Sequence, residues 1–180
     1  MSIGPGPPNT TQKQQTKFSE SLKLPDSIQP VIRLSADRDM KYFAYGANMA
    51  EEEMKRHCIN ARFVSRARLP DNAFVYDNFS EEGAEGWGNI VSSPGKEVWG
   101  VLYEVSAEDF KSLEKKEGCP VYYQVRGARV VDDAGEIHKV SLFSREGKCK
   151  GKPSERYHSL VLKGAHNRSL PADYIRQFLE

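Results

Sequence analysis

The sequence predicts an α+β domain built on a small mixed β-barrel, preceded by a tail without regular structure. Three observations lead to this prediction. Stretches rich in β-branched and aromatic residues outnumber the helical stretches, and the two do not alternate as they do in a doubly wound sheet. Five of the ten prolines lie in the first 30 of the 180 residues. Residues 41–180 contain the periodic apolar spacing that packed strands and helices need.

Residues 1–40 are predicted to be a largely disordered or loosely attached tail, and residues 41–180 a single domain. The run GPGPPNTTQKQQTK has no large apolar side chain, so it cannot offset the entropy lost on ordering. Residues 18–36 contain more apolar side chains and could lie against the domain. The tail has five basic and four acidic residues, which leaves 21 of each sign in the domain.

Composition excludes several classes of protein. A net charge of +1 argues against a general binder of nucleic acid or of anionic membranes. No apolar run is long enough to span a membrane and no signal peptide follows Met1, so we expect a cytoplasmic protein. Three cysteines without a CxxC pair indicate neither a disulfide framework nor a structural zinc site.

The first half of the domain is predicted to alternate short strands with one helix. Asn48 resembles an N-cap for this helix, with Glu51 at the third position as in a capping box. The turn-forming residues Pro70–Asn72 separate two predicted strands, and 93–96 separate two more. The predicted elements are a strand at 41–45, a helix at 49–57, and strands at 62–69, 73–77, 90–92 and 97–105.

The second half contains clearer helix signals. Ser106 is a predicted N-cap for a helix that runs to Lys116, and Gly118 follows as its stop signal. Beyond it, alternation predicts strands at 121–131 and 137–143 joined by a turn around Gly135. Ser154 begins another predicted helix, and Leu170-Pro171 opens the last one.

Three places in this sequence suggest a site, and the first two are the corner after the first strand and the end of a helix. In Tyr42–Asn48 an apolar strand runs through Gly46 into a helix start, where free N–H groups favour an anion or a developing oxyanion. An ordinary strand–turn–helix corner would have the same pattern. Glu117 ends a helix whose negative pole disfavours an ionised carboxylate, which suits a group that takes up and returns a proton. A solvated glutamate beside Lys115 and Lys116 is the alternative.

The third place is a set of three tyrosines, and the remaining candidates are weaker. The hydroxyls of Tyr122, Tyr123 and Tyr157 could orient a polar substrate, although core packing would also explain these rings. Cys119 lies two residues after Glu117 but has no identifiable histidine partner, so a thiol nucleophile is not favoured. The four histidines have no paired metal-ligand spacing.

Four motifs taken together resemble the γ-glutamylcyclotransferase family, which has an AIG2-like fold. YFAYGAN at 42–48 resembles the family's YFAYGSN, and PGKEVWGVLYEVS at 94–106 resembles its VWG strand. LEKKEG at 113–118 is similar to the helix end that bears the catalytic glutamate of the family. PSERYHSLVLKGAHNRSLPADY at 153–174 is similar to the family's ending, so the resemblance spans the domain and leaves out the tail.

The resemblance implies a small mixed β-barrel with flanking helices and an enzyme that converts a γ-glutamyl amino acid or peptide into 5-oxoproline. It implies Glu117 as the catalytic acid and base. It also implies a substrate-binding set of Tyr42, Phe43, Ala44, Tyr45, Gly46, Ala47, Asn48, Tyr157 and Tyr122, with Tyr123 as the alternative to Tyr122. No cofactor or metal is expected, and the partner is a small γ-glutamyl substrate rather than nucleic acid or membrane. A monomer or homodimer is expected.

Ala47 departs from the family, which usually has serine at this position. A loop that acts through backbone N–H groups would keep its function, whereas an interaction made by the serine hydroxyl would be missing. Substrate preference therefore stays open among γ-glutamyl amino acids, γ-glutamyl amines, glutathione and γ-glutamyl secondary metabolites. A binding module without catalysis on the same fold is the alternative of another class.

Overall fold

A computed structural model describes residues 40–78, 85–147 and 149–179. Apart from Met40, the predicted tail lies outside the described residues. Within them, ten helices and strands follow one another: β1 (Met40–Ala44), α1 (Glu51–His57), β2 (Arg62–Asn78), β3 (Trp87–Val105), α2 (Ala107–Lys116), β4 (Gln124–Asp132), β5 (Ile137–Ser144), β6 (Cys149–Lys150), α3 (Glu155–Asn167) and α4 (Ala172–Tyr174). In the described ranges no helix is long and apolar enough to cross a membrane.

Five strands close into a barrel, as the sequence predicts. Their order is β3-β1-β5-β4-β2, and β2 pairs with β3 again to complete the ring. The sheet is mixed because β1 and β5 run parallel, with Tyr42 opposite Ser141, whereas the other neighbours are antiparallel. Strand residues that are fully buried, such as Phe43, Leu102 and Leu142, form the core together with residues of α2 and α3.

The long hairpin of β2 and β3 corrects the prediction of four short strands. Pro70–Asn72 do not form a chain-reversing turn; the ladder passes this point with a change of register. Asp71 has a φ of 55°, and its carboxylate accepts a hydrogen bond of 2.9 Å from the Gly95 N–H on the opposite strand. Because β2 and β3 pair with each other both before and after this point, the turn-forming residues make a bulge in the ladder instead of a chain reversal.

Helix α2 begins and ends where the sequence predicts. The Ser106 hydroxyl accepts a hydrogen bond of 3.0 Å from the Asp109 N–H, and this N-cap fixes the first turn. At the other end Gly118 has a φ of 63°, and the Cys119 N–H bonds back to the Glu114 carbonyl at 2.9 Å. This is a Schellman ending, and it places Glu117 at the C-cap of the helix.

The predicted turn and helix starts of the second half are also confirmed, whereas the strand predicted from residue 121 begins at Gln124. The turn between β4 and β5 has Gly135 at a φ of 84°. The Ser154 hydroxyl caps α3 by accepting from the Tyr157 N–H. Pro171 directly precedes α4, which continues into a wider helical turn at Ile175–Leu179.

The predicted N-cap role of Asn48 is wrong. Ala47–Met49 form a short 3₁₀ turn, and α1 begins at Glu51 with Ala50 at its N-cap. Asn48 is 5% exposed, and its side chain points into the protein instead of closing the helix. A Cβ at Gly164 would lie 2.6 Å from the Ala50 backbone nitrogen, so this glycine lets α3 pack closely against the 3₁₀ turn.

Candidate active site

A cavity of about 490 Å³ opens where the end of β1, the start of β3, the end of α2 and the start of α3 meet. Aromatic rings and glycines make up most of its wall, together with four charged side chains. The wall is formed by Tyr42, Tyr45, Gly46, Ala47, Asn48, Trp87, Gly88, Lys115, Lys116, Glu117, Gly118, Tyr122, Tyr123, Phe143, Arg145 and Tyr157.

Asn48 joins the loop after β1 to the end of α2. Its Nδ2 donates to the Tyr42 hydroxyl at 2.9 Å and to Oε1 of Glu117 at 3.1 Å. Its Oδ1 accepts from Lys116, whose Nζ lies 3.7 Å from Oε1 of Glu117 and 3.6 Å from Oε1 of Glu53. The Glu117 carboxylate is therefore held in one orientation by an amide donor and a nearby ammonium group.

Tyr42 contributes a neutral hydroxyl to this group. Burial, reinforced by the negative charge of Glu117, raises the pKa of Tyr42 well above its ordinary value. The Tyr42 ring packs against Phe143 and Phe110, whose rings stack on each other. This packing fixes the end of β1 against α2.

A second chain of hydrogen bonds joins Tyr123, Gly88 and Tyr157 on the β3 side of the cavity. The Tyr123 hydroxyl donates to the Gly88 carbonyl at 2.9 Å, and the Gly88 N–H donates to the Tyr157 hydroxyl at 3.1 Å. Burial raises the pKa of Tyr157 to about 12, although hydrogen bonds from the backbone of Gly88 and Ala47 partly oppose this. Both hydroxyls therefore stay protonated near neutral pH and can donate or accept hydrogen bonds.

Arg145 completes the wall from the segment after β5. It forms a buried ion pair with Asp77 at 2.7 Å, and its guanidinium lies 4.8 Å from the centre of the Tyr123 ring. Asn89 Nδ2 donates to Oδ2 of Asp77 at 2.7 Å, so the pair is built into the β2–β3 hairpin. Neither Arg145 nor Asp77 is predicted from the sequence.

The structure brings most of the sequence-based candidates to the same cavity. Glu117 lies on the wall, as do the following binding candidates: Tyr42, Tyr45, Gly46, Ala47, Asn48, Tyr122 and Tyr157. Phe43 and Ala44 do not line it; both are almost fully buried in the core. Alternation along β1 explains Phe43, whose side chain points to the face opposite that of Tyr42, but it does not explain Ala44, which shares the face of Tyr42.

Tyr122 and Tyr123, between which the sequence leaves the choice open, both line the cavity. Tyr122 is 55% exposed, whereas the Tyr123 hydroxyl is tied to Gly88 inside the wall. Cys119 is not among the residues of the wall, and burial raises the pKa of its thiol to about 11. A thiol with so high a pKa is a poor nucleophile near neutral pH.

Several residues of the wall are missed by sequence reasoning: Trp87, Gly88, Lys115, Lys116, Phe143 and Arg145. Lys115 and Lys116 have only the sequence signature of favourable charges at a helix end. Trp87 and Gly88 come to the cavity through the pairing of β3 with β2, and Phe143 and Arg145 through the place of β5 between β1 and β4. No local signal specifies these pairings. A group of three residues with metal-ligating side chains, Asp132, Glu136 and His138, lies outside the wall, and there Lys41 Nζ contacts His138 Nδ1 at 2.8 Å.

Comparison with known proteins agrees with this architecture. A sequence profile of the AIG2-like family matches residues 97–178. γ-Glutamylcyclotransferase from Mus musculus is 31% identical over 149 residues, which cover 74% of this chain and 73% of the mouse protein. The Bos taurus γ-glutamylcyclotransferase is also 31% identical over 149 residues, with 79% of each chain covered. The chain belongs to the γ-glutamylcyclotransferase family.

Solved structures of relatives confirm the fold. A structure of a γ-glutamyl cyclotransferase has a TM-score of 0.73 at 28% identity, over 78% of this chain and 86% of that one. A human protein described as uncharacterized has a TM-score of 0.72 at 28% identity, over 77% of this chain and 85% of that one. The family's barrel with flanking helices is therefore the fold of this chain.

Proposed function

We propose that this protein cyclises a γ-glutamyl amino acid or peptide to 5-oxoproline and releases the amino acid, with Glu117 as the general base and then the general acid. The observation that supports this most directly is the contact between Asn48 and Glu117. It connects the loop after β1 to a carboxylate on the wall of a cavity of suitable size for a dipeptide. Family membership supports the reaction class.

Glu117 is arranged for proton transfer. Asn48 and Lys116 approach Oε1, whereas Oε2 has no hydrogen bond to any residue in the described ranges. In the proposed reaction Oε2 takes a proton from the substrate's α-ammonium group, and the free amine attacks the γ-carbonyl carbon. The ring C–N bond forms and the original amide C–N bond breaks. Glu117 transfers two protons, one after the other, from the attacking nitrogen to the leaving nitrogen, so the ring keeps one N–H and the amino acid leaves as an ammonium group.

The rest of the wall would position the substrate. Ring closure is intramolecular, so holding the flexible glutamyl chain in a folded conformation accounts for much of the barrier. The backbone of Tyr45–Asn48 would bind either the γ-carbonyl oxygen, as an oxyanion hole, or the α-carboxylate. Tyr122 and Tyr157 would flank the substrate. Because this binding uses the backbone, it does not need a hydroxyl at Ala47.

The test is the release of 5-oxoproline from a panel of γ-glutamyl-alanine, glutathione and γ-glutamyl-lysine by purified protein. Glu117→Gln keeps the size of the side chain but cannot accept the proton, so kcat should fall about 10²- to 10⁴-fold. Glu114→Gln, on the same helix but outside the wall, is the matched control and should retain activity. Near-full activity of Glu117→Gln would disprove the assignment of the base.

A further inference from the structure

Arg145 is an unusual part of the cavity wall because its side chain is only 4% exposed. Its Nε and Nη2 donate to Oδ1 of Asp77 at 2.9 and 2.7 Å, and Nη2 also donates to the Asp77 carbonyl at 2.6 Å. Burying two charges is costly, and removal of either partner alone would leave the other uncompensated. An ion pair in this position suggests that the guanidinium has a purpose at the cavity.

The remaining nitrogen of the guanidinium, Nη1, has no hydrogen-bond partner among the described residues. Its direction is fixed, since Asp77 holds the other edge of the planar group and the Tyr123 ring covers one face at 4.8 Å. The backbone of Arg145 is held as well, because its N–H and carbonyl bond to the Asn89 side chain at 3.2 and 2.9 Å. A donor fixed in this way is preorganised for an acceptor.

Arg145 and Glu117 line the same cavity. Burial has the largest effect on the pKa of Tyr123 and of Tyr157 and raises both. The negative charge of Glu117 raises these pKa values further, whereas the positive charge of Arg145 lowers them. Both charges therefore act on the same two tyrosines of the cavity wall. A substrate that places its amine at Glu117 would occupy a cavity that Arg145 also lines.

Two other cations line the cavity, but neither has this arrangement. Lys115 is exposed, so its attraction for an anion would be screened by solvent and salt. Lys116 is already engaged by Asn48, Glu53 and Glu117. Arg145 is the wall cation in the described part of the chain that combines burial with an uncommitted donor.

We propose that Arg145, through Nη1, binds a carboxylate of the γ-glutamyl substrate and so helps to determine which substrates are accepted. This rests on the proposed function. A γ-glutamyl amino acid has two carboxylates, one beside the α-amine and one on the leaving amino acid. Either would be recognised by the same charge-assisted hydrogen bond, which a γ-glutamyl amine would lack at the leaving end.

The test compares Arg145→Lys with the wild type in steady-state assays. Lysine keeps the positive charge for Asp77 but has no second nitrogen to donate, so the protein should still fold while the substrate carboxylate has no donor at this position. Loss of a hydrogen bond to a charged group should raise KM about 10- to 100-fold, with little change in kcat. Arg168→Lys is the matched control, since Arg168 pairs with Glu51 and lies over the Phe63 ring away from the cavity.

Two substrates identify the carboxylate. If KM rises for γ-glutamyl-alanine but not for γ-glutamyl-ethylamine, Arg145 binds the leaving amino acid. If KM rises equally for both, and inhibition by 5-oxoproline weakens as well, Arg145 binds the α-carboxylate. An unchanged KM for both substrates, together with unchanged inhibition by 5-oxoproline, would overturn the proposal.

A second variant guards against indirect effects. The double change Asp77→Asn with Arg145→Gln removes both buried charges together, and it should raise KM as Arg145→Lys does. Asp77→Asn alone retains Arg145 and should affect stability more than KM. If the proposed function is wrong, the wild-type protein will release no 5-oxoproline. If only this inference is wrong, the enzyme will be active and the KM of the variant will equal that of the wild type.

Discussion

Two neighbouring tyrosines, Tyr76 and Tyr157, show that a phenol hydroxyl can stabilise the folded protein at one position and destabilise it at another. Their ring centres are 6.3 Å apart. The Tyr157 hydroxyl accepts from the Gly88 N–H, whereas the buried Tyr76 hydroxyl has no hydrogen-bond partner among the described residues. A buried hydroxyl without a partner has lost its hydrogen bonds to water and gains none in the folded protein, so its burial is unfavourable.

Replacement of each hydroxyl by hydrogen tests this contrast. Tyr157→Phe leaves the Gly88 N–H without its acceptor and should lower the free energy of unfolding by about 1–3 kcal/mol. Tyr76→Phe should leave it unchanged or raise it by up to about 1 kcal/mol. Urea denaturation of both variants measures the difference, and an equal loss in the two would contradict the assigned hydrogen bond.

The ending of α2 is the element on which the candidate site most depends. Gly118 adopts a left-handed φ of 63°, and a Cβ there would lie 2.6 Å from Cδ2 of Tyr122. Gly118→Ala should therefore destabilise the protein by more than the roughly 1–2 kcal/mol of backbone strain, and it should also reduce 5-oxoproline release by displacing Glu117 or Tyr122.

Gly135→Ala is the control for this prediction. Gly135 has a comparable φ of 84°, but a Cβ there would have no atom within 4 Å, and the turn lies away from the cavity. We expect this variant to show the backbone strain alone, with activity retained. Thermal unfolding and steady-state kinetics of the two variants separate strain from displacement of the site, and equal activities would show that the Schellman ending does not position Glu117.

Elements with local signals were predictable, and elements that depend on strand pairing were not. Ser106 and Gly118 mark the ends of α2 through bonds to residues within one turn, so the sequence contains the whole signal. At Pro70–Asn72 the same kind of local signal failed, because pairing with β3 converts a turn sequence into a bulge. Asn48 failed in a related way, since its side chain bonds to Tyr42 and Glu117 instead of to its own helix.

At the level of the whole molecule, the barrel and Glu117 could be anticipated, but the far wall of the cavity could not. Asp77 and Arg145 are 68 positions apart and meet only because β2, β3 and β5 share one closed sheet. A lone arginine after a strand has no feature that predicts burial. Family resemblance does not indicate it either, because none of the matched motifs, at 42–48, 94–106, 113–118 and 153–174, contains Asp77 or Arg145.

The closed barrel also determines how the protein should respond to alkali. Burial raises the pKa of seven of the eight tyrosines: Tyr42, Tyr45, Tyr76, Tyr103, Tyr123, Tyr157 and Tyr174. It also raises the pKa of Cys58 to about 12. The unfolded chain releases these protons first, at about pH 8.5 for a thiol and about pH 10 for a phenol.

Stability should therefore be fully present below about pH 8.5 and fall as pH rises through the higher pKa values of the folded state. Each group that is ionised only in the unfolded chain lowers the free energy of unfolding by about 1.4 kcal/mol per pH unit, so several buried phenols together should produce a steep alkaline transition near pH 10–11.

Urea midpoints measured from pH 8 upward, with tyrosinate absorbance recorded in parallel, test this prediction. We expect most of the tyrosinate signal to appear together with the loss of the far-ultraviolet circular dichroism of the native state, because these hydroxyls cannot ionise while the barrel is closed. Gradual ionisation of most tyrosines in a protein that stays folded would show that the phenols are in contact with solvent, and that the cavity wall is not closed by the hydrogen bonds described for Tyr123 and Tyr157.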